Sequence, residues 1–196
     1  MLCLLKSETT LGRLETSGRL FRRRFHGPIF TVAAHDEGAQ LRYVRAADVA
    51  KAGYASAAQA WTFIDANMTQ QAGRLDLFGL APFWFVSCEG WPPSAFLAWR
   101  GLHDWVCQAL HSDRPLMAAS FSADQLLVGF ADSAEFHDRL GHAREAPVAQ
   151  PLLPLPFLLS PDAAPRAIAR IEVHLGDRAL LYPEGQGAQG LVLPLQ

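Results

Sequence analysis

Charge is scarce in this sequence. Only 18% of its 196 residues are Asp, Glu, Lys or Arg, against 50% that are hydrophobic, so the chain lacks the composition of a disordered segment and is expected to fold. It lacks an excess of either sign as well. Its 17 Lys and Arg face 19 Asp and Glu, a formal net charge of −2, which provides no long-range field to hold a polyanion. Nucleic acid is therefore not an expected ligand. Long apolar runs are also missing, none approaching the ~18–20 residues that cross a bilayer. The opening Met1-Leu2-Cys3-Leu4-Leu5 is stopped by Lys6 and Glu8, too short for the apolar region of a signal peptide and without a basic stretch before it. These absences point to a soluble cytoplasmic protein with no membrane partner.

Cysteine is sparse. Cys3, Cys88 and Cys107 are odd in number and far apart, a poor disulfide framework that suits a reducing compartment. No C-x-x-C or H-x-x-x-H spacing sets two ligands on one side of an ion, so neither a metal nor any other cofactor is expected. There is no internal repeat.

What is present reads as alternating short elements. Leu14, Leu20, Phe21 and Phe25 fall at helical spacing, predicting a helix over Leu11 to Phe25 with Arg22-Arg23-Arg24 at its end and Gly27-Pro28 as its stop. From Pro28 the period changes, and Ile29 to Ala33 and Leu41 to Val44 read as a β-hairpin around His35-Asp36-Glu37-Gly38. A short helix over Ala46 to Ala52 ends at Gly53. Ser56 then caps a longer helix through Met68, with Ala57, Ala60, Trp61, Ile64 and Met68 as its apolar stripe and Gly73 as its end. Leu75 to Phe78 and Phe83 to Val86 are strands broken by Gly79 and Pro82. The second is apolar without alternation, as expected of a central strand covered on both faces.

The loop Cys88 to Pro93 leads into a helix from Ser94 to Leu110 or His111, with Ala98, Leu102, Trp105, Val106 and Ala109 on one side. Leu116 to Ser120 and Gln125 to Phe130 form the clearest hairpin. Asp132 or Ser133 caps a helix from Ala134 to about Ala143, which turns Phe136 and Leu140 inward. Pro147, Pro151, Pro154, Pro156, Pro161 and Pro165 then exclude a helix or a central strand from an otherwise greasy stretch. A last hairpin, Ala169 to Leu175 and Arg178 to Tyr182, turns at Gly176-Asp177. The flexible loop Gly185 to Gly190 precedes Leu191-Val192-Leu193.

Chemistry-bearing residues are few and dispersed. Cys88 follows the most apolar strand and precedes a helix start, a place where a thiol can be activated, but the adjacent Glu89 opposes this and no histidine partner is identifiable. His103 and Cys107 are four apart on one helix, without a third ligand. His35-Asp36-Glu37 sketches a cation or general-base site, yet a hairpin tip is solvated. His137 and His142 read as solvated or capping residues, and Asn67 as a polar bracket at a helix end.

Aromatics are concentrated rather than dispersed. Trp84, Trp91, Trp99 and Trp105 crowd one quarter of the chain, and the Ser94 helix cannot bury Trp99 and Trp105 together with Phe96 and Leu97 on one face. Aromatic surface near Trp91, Trp99, Trp105 and Arg100 then has the composition of a protein-binding patch, unless the Pro-rich arm covers it.

The order of elements, with Ala66-Asn67-Met68 closing a helix before a strand and Ser122-Ala123-Asp124 turning into the next, resembles the YtpQ-like family of uncharacterised bacterial proteins over roughly Pro28 to Leu140. Met68 stands for that family's leucine, and Ala123 replaces the arginine of its Ser-Arg-Asp turn. The resemblance implies an α+β domain with no assigned reaction.

The expected fold is therefore α+β: an antiparallel sheet with helices mainly on one face, plus a C-terminal β-hairpin. A helical segment (1–27) would precede a core (28–146), with the Pro-rich arm and hairpin (147–196) packed on it. The expected function is a non-catalytic interaction or adaptor domain that meets a protein partner or a second copy of itself through the tryptophan patch. The alternative is a hydrolase-like enzyme using Cys88 as nucleophile.

Overall fold

The first strand is built from the apolar opening itself. In the computed structural model, which describes residues 1–38, 40–145, 152, 155–161, 163–174, 178–185 and 190–195, Leu2–Ser7 (β1) pairs with Ile29–Asp36 (β3) from Leu2↔Ala34 to Ser7↔Ile29. The expected turn Gly176-Asp177, the loop positions 186–189, Leu153, and Pro147, Pro151 and Pro154 lie outside the described residues.

The chain divides into two compact units, Met1–Leu75 and Asp76–Gln196. In the first, the long helix expected from Leu11 to Phe25 is replaced by a short one. Glu8–Leu14 (α1) is capped by Ser7, whose hydroxyl accepts from the Thr10 N–H at 3.3 Å, and a 3-10 turn runs to Ser17. Gly18, at φ 128, leaves helical space, and Arg22–His26 continues as strand β2 against β3. The reason is in the alternation of the arginine triplet. Arg23 lies over the Trp61 ring at 4.4 Å and donates to both Asp65 carboxylate oxygens, at 2.8 and 3.3 Å, contacts that a helical path would not deliver to one side. Residues 1–27 are thus two strands and a helix rather than a helical segment.

β3 is the centre of this four-stranded sheet, Ala34 lying between Leu2 on one side and Tyr43 of Leu41–Tyr43 (β4) on the other. The β3–β4 hairpin is the one expected. Ala46–Lys51 (α2) ends before Gly53 at φ 82, and Ala57–Gln71 (α3) is capped by Ser56 accepting from the Gln59 N–H at 3.1 Å. Ala60, Trp61, Ile64 and Met68 are buried, and Ala57, expected with them, is exposed. α3 lies against β1, where the Asn67 amide donates to the Met1 carbonyl at 2.9 Å. Asn67 is thereby a bracket, though for the first strand rather than for the loop that follows it.

The second unit is a sheet completed by Leu75–Leu80 (β5), Phe83–Cys88 (β6), Leu116–Ala119 (β7), Leu126–Phe130 (β8), Phe157–Leu158 (β9), Arg166–His174 (β10), Arg178–Pro183 (β11) and Leu191–Pro194 (β12), in the order β12-β11-β10-β9-β7-β8-β6-β5. Its helices are Leu102–Leu110 (α4) and Ala134–Glu145 (α5). The chain is α+β, with antiparallel pairing and a β11–β12 hairpin at its C-terminal end.

β6 is one strand from the end of the sheet, not at its centre, and it alternates buried Trp84 and Val86 with half-buried Phe83 and Phe85. The strands buried throughout are β7 and β8, paired from Leu116↔Phe130 to Ala119↔Leu127. Proline does not keep the arm out of the middle of the sheet either, because β9 bridges β7 and β10 with only two residues. Pro156, which has no N–H, uses its carbonyl to accept from Ile168, and Leu159 donates to the Leu116 carbonyl, both at 2.9 Å. Pro156, Pro161 and Pro165 flank the ladder instead of interrupting it.

α5 seats Phe136 and Leu140 in a core with Met117, Ala119, Leu127, Ile168, Ala179 and Leu181. Gly129 allows this closeness, since a Cβ there would run into the Phe136 ring and, at 2.5 Å, the Pro82 carbonyl. Ser133 is the cap, accepting from the Phe136 N–H at 3.3 Å.

Candidate functional site

The tryptophan segment folds differently from a single helix, and the difference decides which rings reach solvent. After β6, Gly90 at φ 74 turns the chain and the Trp91 N–H donates to the Cys88 carbonyl at 3.2 Å. Pro93–Ala98 is a 3-10 turn, Trp99 is extended at φ −86 and ψ 124, and α4 starts afresh after Gly101. Trp99 sets its ring edge against Phe96 at 6.1 Å and lies where a Cβ on Gly101 would collide with it, so the glycine makes room for the ring. Breaking the helix lets Phe96, Leu97, Leu102 and Val106 all be buried, which one straight helix face would not achieve. Trp91 is only 6% exposed, Trp99 and Trp105 are half-buried, and Arg100 is exposed. The expected patch therefore presents two partial rings and a guanidinium, with Trp91 inside.

Cys88 is half-buried at the end of β6. Cys107 Sγ lies 3.8 Å from His103 Nε2, while His103 Nδ1 is 2.7 Å from Asp104. Burial, with Asp104 and Asp113 adding to it, pushes the Cys107 thiol up, the wrong direction for a nucleophile. Burial raises Cys3 to about 12. Among the described residues no three His, Cys, Asp or Glu side chains gather as a metal site would need.

His137 is not a surface residue. It is buried on α5, and its Nε2 donates to the Ala131 carbonyl at 2.8 Å, leaving Nδ1 without a hydrogen-bond partner. Desolvation lowers its pKa, opposed by that hydrogen bond and by the Asp132 charge. His142 is exposed and donates to the Asp138 carbonyl at 2.9 Å. Asp132, an expected helix cap, instead holds Arg114 through Nε–Oδ1 and Nε–Oδ2 contacts of 3.1 and 3.2 Å and an NH2–Oδ1 contact of 2.6 Å. Arg114 also covers the Phe130 ring at 3.9 Å, and Phe130 meets Trp84 edge-on at 5.1 Å.

Among the described residues, two exposed large apolar side chains share a strand where residue pattern did not point. On β5, Phe78 is 54% and Leu80 84% exposed, and Phe78 stacks on Phe85 at 5.4 Å. β5 ends the sheet at one side. At the other end, β12 exposes Val192 at 57%. Gly79, at φ 135, has no room for a side chain because a Cβ would sit 2.6 Å from the Phe83 carbonyl, so the hairpin is tightly closed just where Phe78 and Leu80 emerge. The sequence signal was the apolar run before a Gly and Pro break, and which strand lies at the sheet's end is decided by pairing far along the chain.

No helix among the described residues is long and apolar enough to cross a membrane. No family model, no curated protein and no solved structure matches this chain.

Proposed function

We propose that this chain is a cytoplasmic, non-catalytic interaction domain that uses β5 as its contact edge, with Phe78 and Leu80 as anchors. The observation that carries the reading is the exposure of these two side chains, 54% and 84%, on a terminal strand of the sheet. An end strand offers unpaired backbone groups, and proteins ordinarily blunt such an edge with charge or proline rather than with large apolar side chains. Asp76 is the only charged residue on the strand. A strand from a second copy of this chain, added along β5, would satisfy its backbone and cover both side chains. Trp99, Trp105 and Arg100 stand as the second, more polar surface of the same kind of domain.

An odd number of widely scattered cysteines and near-zero net charge support a reducing, cytoplasmic setting without a nucleic-acid partner. The YtpQ-like resemblance names no reaction and is compatible with this role. Sedimentation across a wide concentration range tests it. The unaltered chain should associate, and Phe78→Ser with Leu80→Ser should stay monomeric with unchanged circular dichroism. A chain that is monomeric at every concentration, or a double variant that associates equally well, refutes the assignment of β5.

A further inference from the structure

The first unit contains a cavity of about 230 Å³ formed by the end of the β3–β4 hairpin, α2 and the segment after it. Val44 and Val49, 5% and 6% exposed, give it an apolar floor, and Ala52 lies at its rim. Met1 also lines it, and its polar side chains are His35, Arg42, Asp48 and Tyr54.

Two of these are set by strand register. His35 and Arg42 are direct partners across the hairpin, so their side chains leave the same face, with Cβ atoms about 5 Å apart. Opposed basic residues are ordinarily unfavourable in that position. Here the cost shows in His35, which burial, the chain's amino terminus and Arg42 together hold toward its neutral form, with Glu37 acting in the other direction. Two carboxylates nearby are already engaged: Glu37 takes the Arg42 Nε, and Asp48 lies 3.5 Å from Lys51. Among the described residues, neither terminal nitrogen of Arg42 has a hydrogen-bond partner, and neither His35 nor the Tyr54 hydroxyl has one.

An uncommitted guanidinium fork, a neutral imidazole and a phenol above an apolar floor suit an anion with a short hydrocarbon body. At about 30 Å³ per water, the cavity equals roughly eight water volumes, smaller than the ~300 Å³ at which ordinary ligand pockets begin. We propose that this cavity is a binding site for a small aliphatic monocarboxylate. The carboxylate takes the Arg42 fork and a hydrogen bond from Tyr54 or His35, and a branched chain of three or four carbons rests on Val44 and Val49. A metal cation is disfavoured by the same basic groups. The site is separate from β5 and does not depend on its role.

The probe is 3-methylbutanoate, titrated into the full chain while the His35 ring and Arg42 Nε–H signals are followed by NMR, with 3-methylbutanamide and inorganic phosphate in parallel. The carboxylate should give saturable shifts with a midpoint in the millimolar range, as so few atoms allow. The amide and phosphate should give none at the same concentrations. Arg42→Gln, at an exposed side chain, should weaken binding about tenfold or more by removing the charged fork. Ala52→Phe should abolish binding by filling the cavity from its rim while both basic residues remain. Non-saturating shifts, equal binding of the amide or of phosphate, or an unchanged midpoint in either folded variant overturns the proposal.

Discussion

Removing Arg114 tests whether the Arg114–Asp132 pair organises the second unit. The Asp132 side chain is 4% exposed and the Arg114 side chain 28%, so the pair is sealed at the carboxylate and open at the guanidinium. Arg114→Met keeps much of the aliphatic stem over Phe130 but strands a carboxylate that loses three nitrogen contacts. Breaking a fully buried pair in this way costs about 3–5 kcal/mol. Because water reaches Arg114, part of the attraction is screened and the expected loss is about 2–3 kcal/mol.

Asp132→Asn leaves the charge on the partner that already touches solvent and should cost less, about 1–2 kcal/mol. The double variant should then be more stable than the sum of the two losses predicts, with a coupling of about 1 kcal/mol or more. Native-state hydrogen exchange at the Val128 amide of β8 reads the second unit by itself, and Arg114→Met should speed it about 30- to 150-fold. A coupling within about 0.5 kcal/mol of zero would show that the two side chains act independently and would refute the reasoning.

Phe136→Ala should destabilise the second unit by about 3–5 kcal/mol, since Phe136 is 0% exposed in the core under α5; a loss below about 1 kcal/mol in urea unfolding would contradict that packing. Gly129→Ala should cost about 1–3 kcal/mol by driving a methyl group into the Phe136 ring and the Pro82 carbonyl, where an ordinary strand glycine would tolerate it. His137 has its folded pKa lowered, chiefly by burial, so the folded state resists the proton that the unfolded chain accepts. Stability should therefore be fully present above about pH 6.5 and fall as pH drops toward the folded pKa, and His137→Gln should flatten that part of the profile; identical slopes would count against a buried neutral ring. Cys3 and Cys107, both with raised thiol pKa, should alkylate slowly with iodoacetamide at mildly alkaline pH, and labelling of Cys107 faster than a free peptide thiol would contradict its surroundings.

Local elements with their own punctuation were readable from residues alone. Ser56 and Ser133 cap helices as their side-chain chemistry demands, and the β3–β4, β7–β8 and β10–β11 hairpins form where turn residues separate apolar runs. Local pattern is ambiguous where a short stretch has two physical solutions. Arg22 to Phe25 fits a helix end or a strand, and Trp61 and Asp65, about forty residues away, select the strand. The stretch from Pro93 to Leu110 fits a single helix until Trp99 must share space with Phe96 and Gly101.

The candidate sites divide in the same way. His35 was visible as part of a titratable turn, but the cavity beside it needs Arg42 in register and α2 folded behind. Phe78 read as an ordinary strand residue and Leu80 as part of the break between Gly79 and Pro82, whereas the strand runs on to Leu80. Their exposure follows from β5 closing a sheet whose other strands come from as far away as Leu191–Pro194.

Composition and spacing were enough to establish the α+β class, the Ser56 and Ser133 caps, the main hairpins and the weak overall field, because these depend on contacts within a few residues or on sums over the whole chain. The position of each strand in its sheet, the burial of Trp91, the exposure of Leu80 and the pairing of Arg114 with Asp132 depend on which distant segments meet. Such meetings are set by packing one apolar face against another, a condition that no local window of residues contains.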